Sequence, residues 1–566
     1  MVNTKNEHKR QWKLAVFSAI IAIFYSFFYN YHLLFVEQLH LFEWNSTYFY
    51  AMTHNPGGFA RYIGEFFTQF FFLNHLGGII LALCIWTLLS LYESLLSKWE
   101  INALGSTVPG LFLALFYLNT NASLGLILGL IIALLCVLAT IREKREQYRF
   151  FFSLLSLPIC YLLTGIGSFL YVGLLYLNDI LYEKKYPLYK WICLAIITIL
   201  MPLVSYYQYD LTETQAWIGT ACLISNDSSA MLYAVLGSFF LTPFLIYYFS
   251  KTALAKHKKI ITGINLLVFL PLLLFQQKKV EGEELYQIHY LTTHEHWEQA
   301  IKLAENTHTP NVLLSSYANI ALLNKQMLSK KLFTLYQTPH INEFWSSNHL
   351  LNYITAETYF QMNMPYAARA YMFMANTQTP LGISPLYIKR LTEIEYSRGN
   401  ADVSLKYIQK LKSTLFYKTW AKEFEKRIYT ESNTSQKIKT NDVFLAKEML
   451  YNIEQSWSLG NKNSKIMDFL LARYMLDNQY NAFIQLMKQT HLDLDSCETY
   501  QEFLLMYAYL LKDNSLISQW HIGKNVIERF YQYLQINQSG KTNEEIKQLL
   551  APFNNTYWFY VQFNKK

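Results

Sequence analysis

The sequence changes character at Gln276. Nearly all its long apolar runs lie before that residue, and charge, Asn and Gln dominate after it. A bilayer core is spanned by roughly 20 apolar helical residues. Nine stretches approach that length, at about 14–35, 66–92, 103–118, 122–141, 150–164, 166–182, 190–207, 229–250 and 260–276. The third, fifth and sixth are short, and Pro109, Pro158 and the pair Gly165–Gly167 interrupt that region. Such breaks persist in a membrane where neighbouring helices or a cavity satisfy the freed backbone. The first stretch follows MVNTKNEHKRQWK, is too long for a signal core and is not followed by a small-residue cleavage site, so it reads as a retained span.

Basic residues orient the spans. Lys5, Lys9, Arg10 and Lys13, then Lys98, then Arg142, Lys144, Arg145 and Arg149, then Lys184, Lys185 and Lys190, and finally Lys251, Lys256, Lys258 and Lys259 fall on one predicted side. Only Arg61 falls in the opposite loops. Positive residues collect on the cytoplasmic side. An odd number of spans from a cytoplasmic N-terminus then places the second half in the periplasm of a Gram-negative cell. The expected architecture is all-α. A polytopic inner-membrane bundle of about nine spans fills 1–276, and an extracytoplasmic α-solenoid of tetratricopeptide-like hairpins fills 277–566.

The net charge of +8 does not point to nucleic acid, because many of the basic residues sit at span ends. The six cysteines form no CxxC and no Cys/His cluster at zinc spacing. The chain has no GxxxxGK[ST] loop, GxSxG or HExxH. In the second half, amphipathic helices alternate with Asn-, Gly- or Pro-marked turns. The clearest unit runs from His349 to Pro380, where Ala356, Tyr359, Ala368, Ala375 and Pro380 match the roughly 34-residue tetratricopeptide period. Asn352 and Thr355 stand where that pattern has Trp and Leu.

The first external loop, residues 36–65 and the run that follows, carries the most chemistry. Asn55-Pro56-Gly57-Gly58 is a turn signal. Beyond it, Phe59, Tyr62, Ile63, Phe66, Phe67 and Phe70 recur at helical spacing, with Arg61, Glu65, Thr68 and Gln69 opposite. Two readings fit: a helix lying in the membrane interface, or the aromatic start of the second span. Glu37 follows the first span directly. A carboxylate there can serve as general base for an acceptor hydroxyl or bind a divalent ion carried by a lipid phosphate; the competing reading is a solvated loop glutamate. Glu43, Glu65, His40 and His54 share the loop, and a second external loop offers Asp210, Glu213 and Asp227.

Two resemblances enter on these residues. Glu37-Gln38, Asn55-Pro56-Gly57-Gly58, Phe66-Phe67-Thr68-Gln69-Phe70-Phe71 and, near the other end, Tyr500-Gln501-Glu502-Phe503-Leu504-Leu505 are similar to an uncharacterised family of multi-span proteins from Bacteroidota. The layout also resembles the lipid-phosphate-sugar glycosyltransferases of the multi-span C-type fold. Those enzymes place an acidic catalytic residue just after the first span, and some carry tetratricopeptide tails. By that resemblance Glu37 takes the catalytic position and Glu43 a second one. Gln38, His40, Arg61, Glu65, Asp210 and Glu213 would then bind a polyprenyl-phosphate-linked sugar. The enzymes often show an acidic pair one residue apart, whereas Gln38-Leu39 follow Glu37 here, which leaves dependence on a divalent metal open. The expected function is therefore transfer from that donor to a periplasmic protein presented by the tail. The rival is a non-enzymatic scaffold in which the spans anchor the tail. A transporter is a third reading, disfavoured because few ionisable residues lie inside the spans, with Asp179 and His75 near span ends.

Overall fold

A computed structural model describes residues 2–99, 106–184, 187–221, 229–250, 282–307, 311–337, 342–344, 346–379, 382–431, 444, 446–495, 497–538 and 542–564. The expected span at 260–276, the domain boundary at 276, the basic cluster Lys251–Lys259, Asp227, Pro380 and most of the polar break at 431–441 lie outside the described residues. Helix is the only regular secondary structure among those described.

The chain forms two compact units. The first comprises Met1–Glu283 together with Pro380–Leu386 and Gln409–Lys422, and the second holds the remainder. The first twelve helices belong to the first unit. They are α1 (Val2–Ile23), α2 (Asn30–Gln38), α3 (Ser46–Thr53), α4 (Gly58–Thr68), α5 (Leu76–Lys98) and α6 (Thr107–Phe116), followed by α7 (Leu124–Arg142), α8 (Glu146–Thr164), α9 (Gly167–Asn178), α10 (Leu188–Gln208), α11 (Glu213–Ile218) and α12 (Ser229–Ser250).

Four described helical segments, not nine, are long and apolar enough to cross a membrane: Arg10–Phe28, Leu76–Lys98, Leu124–Arg142 and Leu188–Gln208. The other candidates fall short for local reasons. Among the described residues of the run at 103–118, helix is confined to the ten-residue α6. α8 has the length but carries Glu146, Gln147, Arg149, Ser153 and Ser156. Gly165, at φ +63°, separates it from the twelve-residue α9. The apolar portion described in α12 is Ala230–Phe244. The four long apolar helices are consistent with membrane association. So are the outward faces of α8 and α10, which expose Phe151, Leu155 and Ile159, and Ile192, Ile196, Ile199 and Leu203.

α7 is the axis of this unit, packed against α4, α5, α8 and α9. Its Leu126, Ile127, Leu130, Ala133, Leu134 and Val137 are buried. The approach of α4 is set by backbone contact. A Cβ on Gly64 would lie 2.3 Å from Gly125 N and 2.7 Å from Gly125 Cα. Small residues permit such close crossings between helices in apolar surroundings, where dispersion must replace the hydrophobic drive. The Asn55–Gly58 turn read from the sequence is present and tied down at three points. Gly57, at φ +77°, donates its N–H to Leu162 O at 2.8 Å. Pro56 O accepts from the backbone N–H of Thr220 at 2.9 Å and from its hydroxyl at 3.0 Å.

In the second unit, His349–Gln361 and Pro365–Thr377 pack against each other as a hairpin. Ala356, Tyr359, Ala368 and Ala375 are fully buried, as their spacing implies. Asn352 and Thr355 are buried polar substitutes with partners: Asn352 Nδ2 donates to Ser346 O (2.8 Å) and Gln378 Oε1 (2.6 Å), and Thr355 Oγ1 donates to Asn342 O (3.0 Å). Trp297–Asn306 with Val312–Asn324, and Ser464–Asp477 with Tyr480–Thr490, also pack as sequential pairs, but a repeating solenoid of such hairpins is not established.

The Gly64 contact yields a direct test. Gly64→Ala forces backbone apart and should destabilise the detergent-solubilised protein by about 1–3 kcal/mol. Gly129→Ala is the control, since its Cβ would meet nothing closer than 3.4 Å. Thermal melts that drop for the first variant and not the second are expected; equal melts would refute the crossing.

Candidate functional site

α4 is a helix in its own right. A 3-10 turn at Gln69–Phe72, extended Leu73 and His75 at φ +67° separate it from α5. Of the two readings of this segment, the frayed start of the second span is therefore excluded. The polar side of α4 faces inward: Glu65, Thr68 and Gln69 are buried, while Tyr62, Phe66 and Phe70 are partly exposed. An amphipathic helix lying on a surface would turn its polar side to water. Here the polar side lines an interior.

That interior adjoins the last turn of α2, where Glu37 is buried at 3% exposure. Its Oε2 accepts a hydrogen bond from the Tyr417 hydroxyl at 2.9 Å. Both residues belong to the first unit, because Gln409–Lys422 folds with it. Leu41 N–H donates to Ile383 O at 3.0 Å, Trp44 N–H to Ser413 O at 2.8 Å, and Ser384 Oγ to Gln38 O at 2.6 Å. Phe416 stacks on Phe72 with ring centroids 4.8 Å apart. The loop after the first span and these two distant segments enclose a cavity of about 10 Å³ lined by Glu37, His40, Gln69, Pro385, Thr414 and Tyr417, among others. A volume of that size holds about one water.

Two carboxyls in this region have opposite environments. Burial pushes Glu37 up to about 8, with the Tyr417 hydrogen bond acting the other way. The Tyr417 phenol is itself raised by burial and by Glu37. Burial also opposes ionisation of Glu65, yet Arg61, His40 and Tyr48 hold that carboxyl down to about 2. Arg61 Nε donates to Glu65 Oε1 at 2.7 Å, and the Tyr48 hydroxyl donates to Oε2. His40 stands between the two carboxyls in this arrangement. It lines the Glu37 cavity, and its Nδ1 lies 3.9 Å from Glu65 Oε1.

The remaining sequence candidates have other placements. Glu43 accepts from Asn45 Nδ2 at 3.0 Å and from Ser413 Oγ at 3.3 Å, with Lys410 Nζ at 3.4 Å, so it fastens segment 409–422 to the loop. Gln38 is buried beside Glu37 on α2. Asp210, at φ +48°, and Glu213, in the first turn of α11, are exposed and do not line the cavity. Tyr48, Gln69 and Tyr417 were not singled out from the sequence as site residues. Tyr417 lies 380 positions from its partner and carries no local motif. The donor set does not suit a divalent ion: Glu37 is engaged by a phenol and Glu43 by a lysine. Among the described residues no three His, Cys, Asp or Glu side chains converge.

A family model described as a family of unknown function (DUF6057) matches residues 9–564. The chain belongs to that family. No curated protein and no solved structure matches it. For this member of the family, then, the geometry of the site carries the functional argument. Carboxyls pushed apart in this way divide the tasks of proton donor and fixed charge.

The raised carboxyl fixes a pH dependence. Glu37 binds a proton in the folded state up to about 8, whereas an ordinary carboxyl releases it near 4.5. The folded state therefore binds more protons between those values, and stability is lost as pH rises through that window. Glu283 is raised to about 8 by burial and contributes with the same sign. Glu37→Gln should melt like the parent at pH 5 and above it at pH 9, leaving the residual slope of Glu283 and of Glu502, which burial raises to about 7. Parallel melting curves across that range would mean Glu37 is ionised in the folded protein.

Proposed function

We propose that the chain is a membrane-embedded transferase that moves a sugar from a polyprenyl-phosphate donor to a protein acceptor, with Glu37 as its acid–base group. The observation that carries this reading is the enclosure of Glu37 by a loop that folds back over it, with the carboxyl tuned close to neutral pH. A mere anchor for a soluble tail has no use for a buried, proton-holding carboxyl beside the first span. A general acid or base works best when its pKa lies near the operating pH.

In the proposed reaction the ionised fraction of Glu37 takes the proton of the acceptor hydroxyl. A bond forms between that oxygen and the sugar's anomeric carbon, and the carbon's bond to the lipid phosphate breaks. Tyr417, hydrogen-bonded to Glu37, sets how tightly the proton is held. The Glu65–Arg61–Tyr48 cluster supplies a fixed charge that orients His40 at the cavity wall. Because Glu37 is buried and the cavity beside it admits about one water, segment 414–417 must withdraw before a hydroxyl reaches Glu37.

Lys13, within the first turn of the first long apolar helix, and Lys98, at the end of α5, support an orientation with those two ends towards the cytoplasm. In that orientation Glu37 works at the periplasmic face of the inner membrane, and the helical second unit presents the acceptor.

Glu37→Gln keeps shape while removing the ionisable proton. Sugar transfer from a radiolabelled polyprenyl-phosphate donor to membrane-associated protein should fall about 10²-fold or more. Glu43→Gln should retain transfer, because it loosens a surface fastening only. Full rescue of a deletion strain by Glu37→Gln, or by the second unit fused to one foreign span, would replace the enzyme with the scaffold reading.

A further inference from the structure

Gly125 and Arg142 mark the two ends of α7, separated by roughly 25 Å at 1.5 Å per residue. The first touches α4 near the candidate site. The second opens on a lateral groove of about 470 Å³ between the last turns of α7 and the first turns of α8, lined by Ala139, Arg142, Tyr148, Phe151, Phe152 and Leu155, with Glu143 at its edge.

The wall of this groove is apolar and outward-facing: Phe151 is 68% exposed and Leu155 60%. Its mouth is cationic. Arg142, Lys144 and Arg145 in the α7–α8 turn are all exposed, and none makes an ion pair with a described residue. Two other cations near this end of the helices differ in this respect, since Arg149 pairs with Glu183 and Lys190 with Glu146. The one carboxylate in the turn, Glu143, accepts the backbone N–H of Arg145 at 2.9 Å and so closes the turn. Arg145 lies 5.6 Å from the Tyr148 ring centroid, which brings its guanidinium towards the groove. Three cations against one carboxylate leave the mouth with a net charge of +2.

We propose that this groove holds one anionic phospholipid, its phosphate against Arg142 and Arg145 and an acyl chain along Phe151, Phe152 and Leu155. The unpaired charge selects a head group with net negative charge over a zwitterionic one. The apolar wall selects a lipid over a free anion. A second copy of the chain is a poor occupant, because a symmetric pairing would bring six cations together. Cations near a membrane surface attract anionic lipid by an amount that gives several-fold preference each.

Native mass spectrometry of the full chain in non-ionic detergent tests this with two lipids of identical chains, phosphatidylglycerol and phosphatidylcholine. The wild type should retain one phosphatidylglycerol at least about tenfold more tightly than phosphatidylcholine. Arg142→Gln/Arg145→Gln should reduce that retention by roughly 10- to 30-fold. Arg142→Lys/Arg145→Lys should keep most of it, and Lys512→Gln/Lys524→Gln in the second unit all of it. Inorganic phosphate should not displace the lipid. Equal retention of the two lipids, retention unchanged by the Gln pair, displacement by phosphate, or a dimer formed in place of the lipid-bound species would each overturn the assignment.

Discussion

The arrangement around Glu37 depends on the close approach of α4 to α7 at Gly64 and Gly125. With any side chain at Gly64, its Cβ would lie only 2.3–2.7 Å from the Gly125 backbone, and α4 would ride outward. At its observed depth, the residue after Gly64 is a buried glutamate, and Arg61 one turn earlier lies within 2.7 Å of it. An ionised group in that position is costly to bury without partners. Glu65 has them in Arg61 and Tyr48, so α4 can turn a polar face inward. That face, with α2, makes the floor on which segment 409–422 settles. A packing contact between two glycines is thereby connected to the proton affinity of a carboxyl in another helix.

Glu37 and Glu65 show how burial divides two chemically identical groups. Both are nearly inaccessible, at 3% exposure. Glu65 has a guanidinium in contact and stays charged. Glu37 has a phenol, which contributes one hydrogen bond and no charge, so desolvation prevails and the carboxyl keeps its proton to about 8. The contrast places a stable anion and a group that titrates near neutrality in one buried region.

Much of this was legible before any coordinates. Asn55-Pro56-Gly57-Gly58 announces a turn, the aromatic spacing from Phe59 announces α4, and the sequence places Glu37 directly after the first apolar stretch. Ala356, Tyr359, Ala368 and Ala375 marked a helical hairpin. Three things were not legible. Helical periodicity says which residues share a face and is silent on which face turns inward, so the inward turn of α4's polar side is not readable from it. Hydropathy along the chain overcounted spans: the break at Gly165 is legible, but an apolar run does not reveal that α6 will stop after ten residues. Tyr417, Ile383 and Ser413 are joined to the loop across more than 300 positions, and no local pattern in the sequence reports a contact of that range.

The central claim is that Glu37 holds a proton at neutral pH inside a closed cavity, and infrared difference spectroscopy reads that proton directly. A protonated carboxyl shows a C=O stretch that disappears on ionisation. Titrating the full chain in nanodiscs from pH 6 to pH 10 should reveal carboxyl bands lost between about 7 and 8, the part near 8 shrinking in Glu37→Gln while the remainder follows Glu283 and Glu502. If the Glu37→Gln spectrum is indistinguishable from the parent at pH 7, Glu37 is already ionised there and the account of the site is wrong.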